Sequence, residues 1–162
     1  MKITHAKALP SLSRTREPDR EVITVAALQF AWKENPAEHQ GQIENAVKAS
    51  KKEGAQIVFL PELTLSRYPA DTLPNGTPNH IAENLETGST AKFLKRLAIE
   101  NSIVVHGSLY EYQDFSDGRG LNTAVMFDAA GNLIARTPKL HIPVTEGYFE
   151  DQYFQQGPSE DA

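Results

Sequence analysis

Apolar positions along this chain fall into continuous runs that alternate with helical stripes, and their order predicts an α/β fold. Residues 22–30, VITVAALQF, form the first run. It is β-branched at its start and apolar on both faces, as in a strand of a sheet covered on both sides. A helix follows at Asn35-Pro36-Ala37-Glu38. Asn35 can cap it, Pro36 fits the first helical position, and Glu38 stands where a capping-box acid belongs. Ile43, Ala46, Val47 and Ser50 repeat at i, i+3, i+4, i+7 and mark one buried face, with Gly54 as the predicted stop. Residues 55–60 return as a second strand, so strand, helix and strand make a parallel βαβ unit.

Residues 64–88 carry Pro69, Pro74, Pro78 and Gly76 and read as a long loop, either functional or mobile, or a surface excursion without a role. A second helix is predicted over residues 89–101, with Phe93, Leu94, Leu97 and Ala98 on one face, and a third strand over 103–112. A flexible turn at 114–120 precedes a fourth strand (123–128), a hairpin connection through Ala129-Ala130-Gly131-Asn132 and a fifth strand (133–137). No regular element is evident beyond His141. The predicted fold is a mixed β-sheet with flanking helices on one face.

Composition narrows the classes. The 162 residues suffice for one domain with a core, and 40% hydrophobic with 23% charged residues fits a soluble globular protein. A net charge of -5 without a Lys/Arg stripe argues against a nucleic-acid partner. No apolar run approaches membrane-spanning length, and the default location is the cytoplasm. The absence of cysteine excludes disulfides, thiolate metal sites and a cysteine nucleophile within these residues. Residues 1–20 stand apart, with Lys2, Lys7, Arg14, Arg16 and Arg20 against Glu17 and Asp19, and with Pro10 and Pro18. They lack the apolar core of a secretory signal and read as a disordered extension, with a transit-like peptide as the weaker alternative.

The chemistry gathers at strand ends. Ile57-Val58-Phe59-Leu60 runs directly into Pro61-Glu62, placing a carboxylate where α/β sheets bind ligands. Partial desolvation there suits Glu62 to general-base work; the plainer alternative is an exposed acid capping the next turn. Lys139 follows the fifth strand. Near Glu62 it would stabilise an oxyanion, whereas alone it reads as a solvated lysine. His141 can act as base or metal ligand, but His5, His39, His80 and His106 lack ligand spacing. No metal site is expected, and His141 reads as a structural hydrogen-bonder. Glu150 interrupts an aromatic-rich stretch, Tyr148-Phe149-Glu150-Asp151-Gln152-Tyr153-Phe154, while Trp32 and Tyr68 read as packing residues.

Taken in order, VAALQF, GAQIVFLPEL, VVHGSLYE and NTAVMFDAAGNLIARTPKLHIP resemble the carbon–nitrogen hydrolase (nitrilase-like) superfamily over nearly all of residues 22–157. The tail GYFEDQYFQQG looks most like the N-carbamoyl-amine and N-carbamoyl-amino-acid amidases. The resemblance implies about half of an αββα sandwich. Residues 21–162 would be the N-terminal portion of the domain, ending before its cysteine nucleophile. It implies Glu62 as general base, Lys139 as the cation that stabilises the tetrahedral intermediate, and Glu150 as a second, positioning glutamate. Tyr68 and the 64–88 loop would contribute to substrate contact. It further implies a small amide, N-carbamoyl or nitrile substrate, no metal or organic cofactor, and a homo-oligomer. Without the thiol, the chain by itself is expected to be inactive or nearly so. The competing expectations are a non-catalytic module that pairs with a partner chain or a copy of itself and, last, a generic βαβ small-molecule binding domain, which no Gly-rich fingerprint supports.

Overall fold

A single five-stranded sheet in the order β1-β2-β3-β4-β5 organises the chain in the computed structural model, which describes residues 1–6, 12–13 and 19–158. β1 (Val25–Ala27), β2 (Ile57–Phe59) and β3 (Val104–Glu111) run parallel, and β4 (Leu121–Phe127) and β5 (Leu133–Pro138) extend the sheet by antiparallel pairing. α1 (Pro36–Lys52) and α2 (Ser89–Asn101) are the crossovers that parallel neighbours require. Half of the extension expected over residues 1–20, residues 7–11 and 14–18, lies outside the described residues, as do residues 159–162.

Both helices pack on one face. Ile43 and Val47 of α1 and Phe93, Leu94 and Leu97 of α2 meet Val58, Val105, Leu109, Val125 and Phe127 of the sheet in one buried core. The helix ends follow local chemistry. The Asn35 side chain accepts from the N–H groups of Ala37 and Glu38 at 3.0 and 3.1 Å, and Gly54 takes a φ of 88° just past α1. α2 opens at Gly88, which has no side chain to cap it. Glu83 caps it from outside, accepting from Thr90 N at 2.8 Å and Ser89 Oγ at 2.9 Å.

Three expectations are corrected. β1 pairs over three residues rather than nine, because it is an edge strand whose only partner, β2, is itself three residues long. Single hydrogen bonds carry the pairing slightly further, from Gln56 N to Thr24 O and from Leu28 N to Phe59 O, and Val22 and Ile23 stay exposed. The sheet is not covered on both sides, since Ile57, Phe59, His106 and Ala124 remain partly open on the face away from the helices. Beyond His141 a short α3 (Glu150–Tyr153) forms. With Leu63, Ala70, Tyr110 and Phe154, its Tyr153 builds a second apolar cluster.

The 64–88 loop is tied down. It contains two single-turn 3₁₀ helices, Pro69–Asp71 and Pro78–Ile81, each started by its proline. Glu83 N donates to Tyr110 O at 2.7 Å, and Tyr112 N donates to Glu83 O at 2.8 Å. Among the described residues no helix is long and apolar enough to cross a membrane.

Candidate active site

The C-terminal ends of β2, β3 and β5 and the start of β4 share one end of the sheet, and Glu62 and Lys139 leave from that end. Glu62 sits in a turn that depends on Leu63, whose φ of 48° is left-handed. That conformation costs a non-glycine residue about 1–2 kcal/mol. Ser108 holds it: Leu63 N donates to Ser108 Oγ at 2.7 Å, Thr64 N donates to Ser108 O at 2.9 Å, and Ser108 N donates to Thr64 Oγ1 at 3.0 Å. The Leu63 side chain is anchored in the second apolar cluster.

Lys139 is fixed through its backbone, its N–H donating to Asn122 O at 2.8 Å. Its ammonium then lies between two acids, donating to Glu150 Oε2 at 2.7 Å and to Glu62 Oε1 at 3.4 Å. Glu150, in the first turn of α3, is buried, and its other oxygen accepts from the Tyr68 hydroxyl at 2.7 Å. Burial alone would push the Lys139 ammonium down. The hydrogen bond to Glu150 and the charges of Glu62 and Glu150 outweigh it and hold the group above the ordinary lysine value. Burial, reinforced by the bond to Glu150, raises the Tyr68 phenol above its usual range. The site therefore keeps a full positive charge beside a carboxylate.

The desolvation expected of Glu62 is not found. Its side chain is 49% exposed, because the turn carries it off the end of the sheet toward the open face. Asn122 Nδ2 donates to its Oε1 at 2.5 Å. A concavity of about 370 Å³ opens here, lined in part by Glu62, His106, Asn122, Thr137 and Lys139. A second hollow of about 330 Å³ lies between α2 and the β4–β5 hairpin, bordered by Lys92, Lys95, Phe127 and Leu133, away from this cluster.

The structure thus brings Glu62, Lys139 and Glu150 together, with Tyr68 joined to Glu150. His141 is exposed and stays outside the cluster; its ring makes no hydrogen bond among the described residues, so the structural bond expected of it is absent. Trp32 packs against His39, its Nε1 donating to Leu65 O at 3.2 Å. Among the described residues no three His, Cys, Asp or Glu side chains converge as metal ligands. Sequence reasoning missed Asn122, Ser108 and Thr64. The one available signal was an asparagine just before an apolar strand, a position the pattern leaves between the turn at 114–120 and the strand at 123–128.

Fold and cluster together define an α/β chain that presents an acid–lysine–acid array at one end of a half-covered sheet. A family model described as carbon-nitrogen hydrolase matches residues 24–161, and the chain belongs to that family. It is 32% identical over 136 residues to a citrullinase of Francisella tularensis subsp. tularensis, covering 83% of this chain and 46% of that protein. It is 29% identical over 136 residues to the N-carbamoylputrescine amidase of Solanum lycopersicum, covering 84% of this chain and 44% of that one. The chain spans slightly under half the length of these relatives. Among solved structures, a carbon-nitrogen hydrolase from Helicobacter pylori G27 superposes with a TM-score of 0.73 at 26% identity, over 85% of this chain and 46% of that one. An amidase from Nesterenkonia sp. AN1, solved with acrylamide, shares the fold at a TM-score of 0.68 and 20% identity, over 90% of this chain and 52% of that one.

Proposed function

We propose that this chain supplies the acid–base and charge-stabilising part of a thiol-dependent hydrolase of non-peptide carbon–nitrogen bonds in amide, N-carbamoyl or nitrile groups. The observation that carries the reading is the convergence of Glu62 and Glu150 on one ammonium, that of Lys139, at 3.4 and 2.7 Å. Glu62 takes the proton of a thiol, and the thiolate attacks the substrate carbon. The Lys139 ammonium offsets the charge that develops on the carbonyl oxygen, or on the nitrogen of a nitrile. Glu62 passes its proton to the substrate nitrogen; an amide or ureido group then expels ammonia or an amine, whereas a nitrile first becomes a thioimidate, to which water adds before ammonia leaves. Glu62 takes a proton from the water that attacks the thioester and returns it to the departing sulfur, which releases the acid and regenerates the thiol. Glu150 keeps Lys139 aimed. Tyr68 supports Glu150 through its hydroxyl and offers its ring to the substrate.

The 162 residues contain no cysteine, so in this reading the thiol comes from polypeptide outside them, seated on the open sheet face. The chain by itself is inactive. The assembled enzyme is a cytoplasmic homo-oligomer that needs no cofactor, membrane or nucleic acid. The names of the relatives support ureido or amide groups as the substrate class.

The test is to co-express the chain with the part of a family relative, such as the citrullinase, that this chain does not span and to assay ammonia release from citrulline, N-carbamoylputrescine and simple amides. Release by the pair, by neither part alone, and its loss in Glu62→Gln and Lys139→Met support the proposal. A folded pair that is inert on every substrate overturns it. A second reading, a non-catalytic module that pairs with a partner, rests on the same open face. It predicts assembly that is indifferent to both substitutions.

A further inference from the structure

Asn122 is the second residue of β4 and is buried at 4% exposure. Its side chain reaches Glu62 and its backbone holds the start of the Lys139 segment. The side-chain Nδ2 donates to Glu62 Oε1 at 2.5 Å, and the backbone carbonyl accepts the Lys139 backbone N–H at 2.8 Å. The orientation of the amide follows from chemistry, since an ionised carboxylate only accepts and the NH₂ end must face it. We propose that Asn122 is a positioning residue for the Glu62–Lys139 pair: it clamps Glu62 Oε1 beside the ammonium and leaves Oε2 as the oxygen that exchanges protons.

Four observations carry this. Glu62 needs a clamp, because its half-exposed side chain otherwise gains rotamer freedom and hydration by swinging into water. Its bond to Lys139 is long, at 3.4 Å. Asn122 is itself buried within the sheet, paired with Tyr110 of β3 and bonded through its backbone to the chain that leaves β5. The two acids also differ in which oxygens are engaged. Glu150 has one oxygen on Tyr68 and the other on Lys139, whereas both bonds to Glu62 end on Oε1. Oε2 of Glu62 accepts no hydrogen bond among the described residues and is left beside the concavity. A neutral amide suits this task, since it orients the carboxylate without adding a second full positive charge that would weaken it as a base.

The inference rests on the hydrolase reading, and its test separates the two. The chain itself, labelled with [13C]lysine, gives the titration midpoint of Lys139 by NMR in the wild type, Glu62→Gln and Asn122→Ala. Glu62→Gln lowers the midpoint, because the charge of Glu62 helps keep Lys139 protonated. With Asn122 as the clamp, Asn122→Ala reproduces most of that drop while its amide spectrum stays that of a folded protein. A wild-type midpoint in Asn122→Ala beside a lowered one in Glu62→Gln overturns the clamp and leaves the hydrolase reading standing. A wild-type midpoint in Glu62→Gln removes Glu62 from Lys139 and takes both readings with it. A second measurement needs no Asn122 variant. The Asn122 side-chain amide proton should lie downfield and exchange slowly in the wild type, and move upfield in Glu62→Gln. Identical behaviour in the two proteins overturns the clamp.

Discussion

Glu62 is aimed by a residue whose backbone works against it. Leu63 holds a left-handed φ of 48°, and the bond from its N–H to Ser108 Oγ keeps the turn closed. Ser108→Ala leaves that buried N–H unpaired, so a loss of about 1–3 kcal/mol is expected in urea unfolding. A Ser108→Ala protein as stable as the wild type would mean the turn holds without the bond. Three groups near this end of the sheet also set an alkaline limit. Lys139, Tyr68 and Tyr110 all have folded pKa values raised above their ordinary ones, the tyrosines through burial first and Lys139 through its two acids against the pull of burial. A raised folded pKa means that the folded state holds its proton more tightly. The stability it brings is therefore complete below the unfolded value and is lost as pH rises above it. Urea midpoints should fall above about pH 10, the unperturbed tyrosine range. Tyr68→Phe should flatten part of that fall. An equally steep fall in Tyr68→Phe would remove Tyr68 from the account.

At the scale of elements, α2 shows how a general preference can fail locally. Gly88 is its N-cap, and serine is normally the better cap. Here a Cβ on Gly88 would meet Asn84 O at 2.6 Å and Glu83 Oε2 at 2.7 Å, displacing the carboxylate that already caps the helix. Gly88→Ser is therefore expected to lower the thermal midpoint, and Glu83→Ala to cost about 0.5–2 kcal/mol as a lost cap. A Gly88→Ser protein with a raised midpoint would show that Glu83 is dispensable. Such features also mark where the sequence stops being legible. The bounds of α2 and the Asn35 cap of α1 can be read directly, because stripes and caps are local. β1 is overread, since continuous apolarity reports what a strand can bury and not how long its partner is. α3 spans four residues, about one helical turn, and leaves no stripe. Glu62 stands out as a polar residue ending an apolar run, and Lys139 as one just past the fifth predicted strand. The bonds that place Glu62 join residues 60 and 45 positions apart, from Asn122 to Glu62 and from Leu63 to Ser108, and no local pattern encodes them.

For the whole molecule, the decisive asymmetry is a sheet that, among the described residues, has its two long helices on one face. On the other face Ile57, Phe59, His106 and Ala124 stay partly exposed, and the Phe59 and His106 rings meet at a tilt, 5.0 Å between centres. An open apolar sheet face favours association. The isolated chain should therefore bind an apolar dye and sediment as more than a monomer. Phe59→Glu should return it to a monomer while keeping the helix-side core, to which Phe59 does not belong. His106 gives this association a pH dependence whose sign can be worked out. Burial holds its imidazole below the ordinary value of 6.5, so the folded state resists protonation there. A lowered folded pKa contributes stability above the unfolded value and loses it as pH falls. Covering the face buries His106 further and deepens the effect. Association should weaken as pH falls into the range where His106 of the free folded chain takes up its proton, which burial places below the ordinary 6.5, and His106→Phe should flatten that dependence. Sedimentation velocity on both proteins across this range decides it. A wild-type chain that stays monomeric and dye-free throughout would remove this face as a docking surface. Association that weakens equally in His106→Phe would move the titrating group elsewhere.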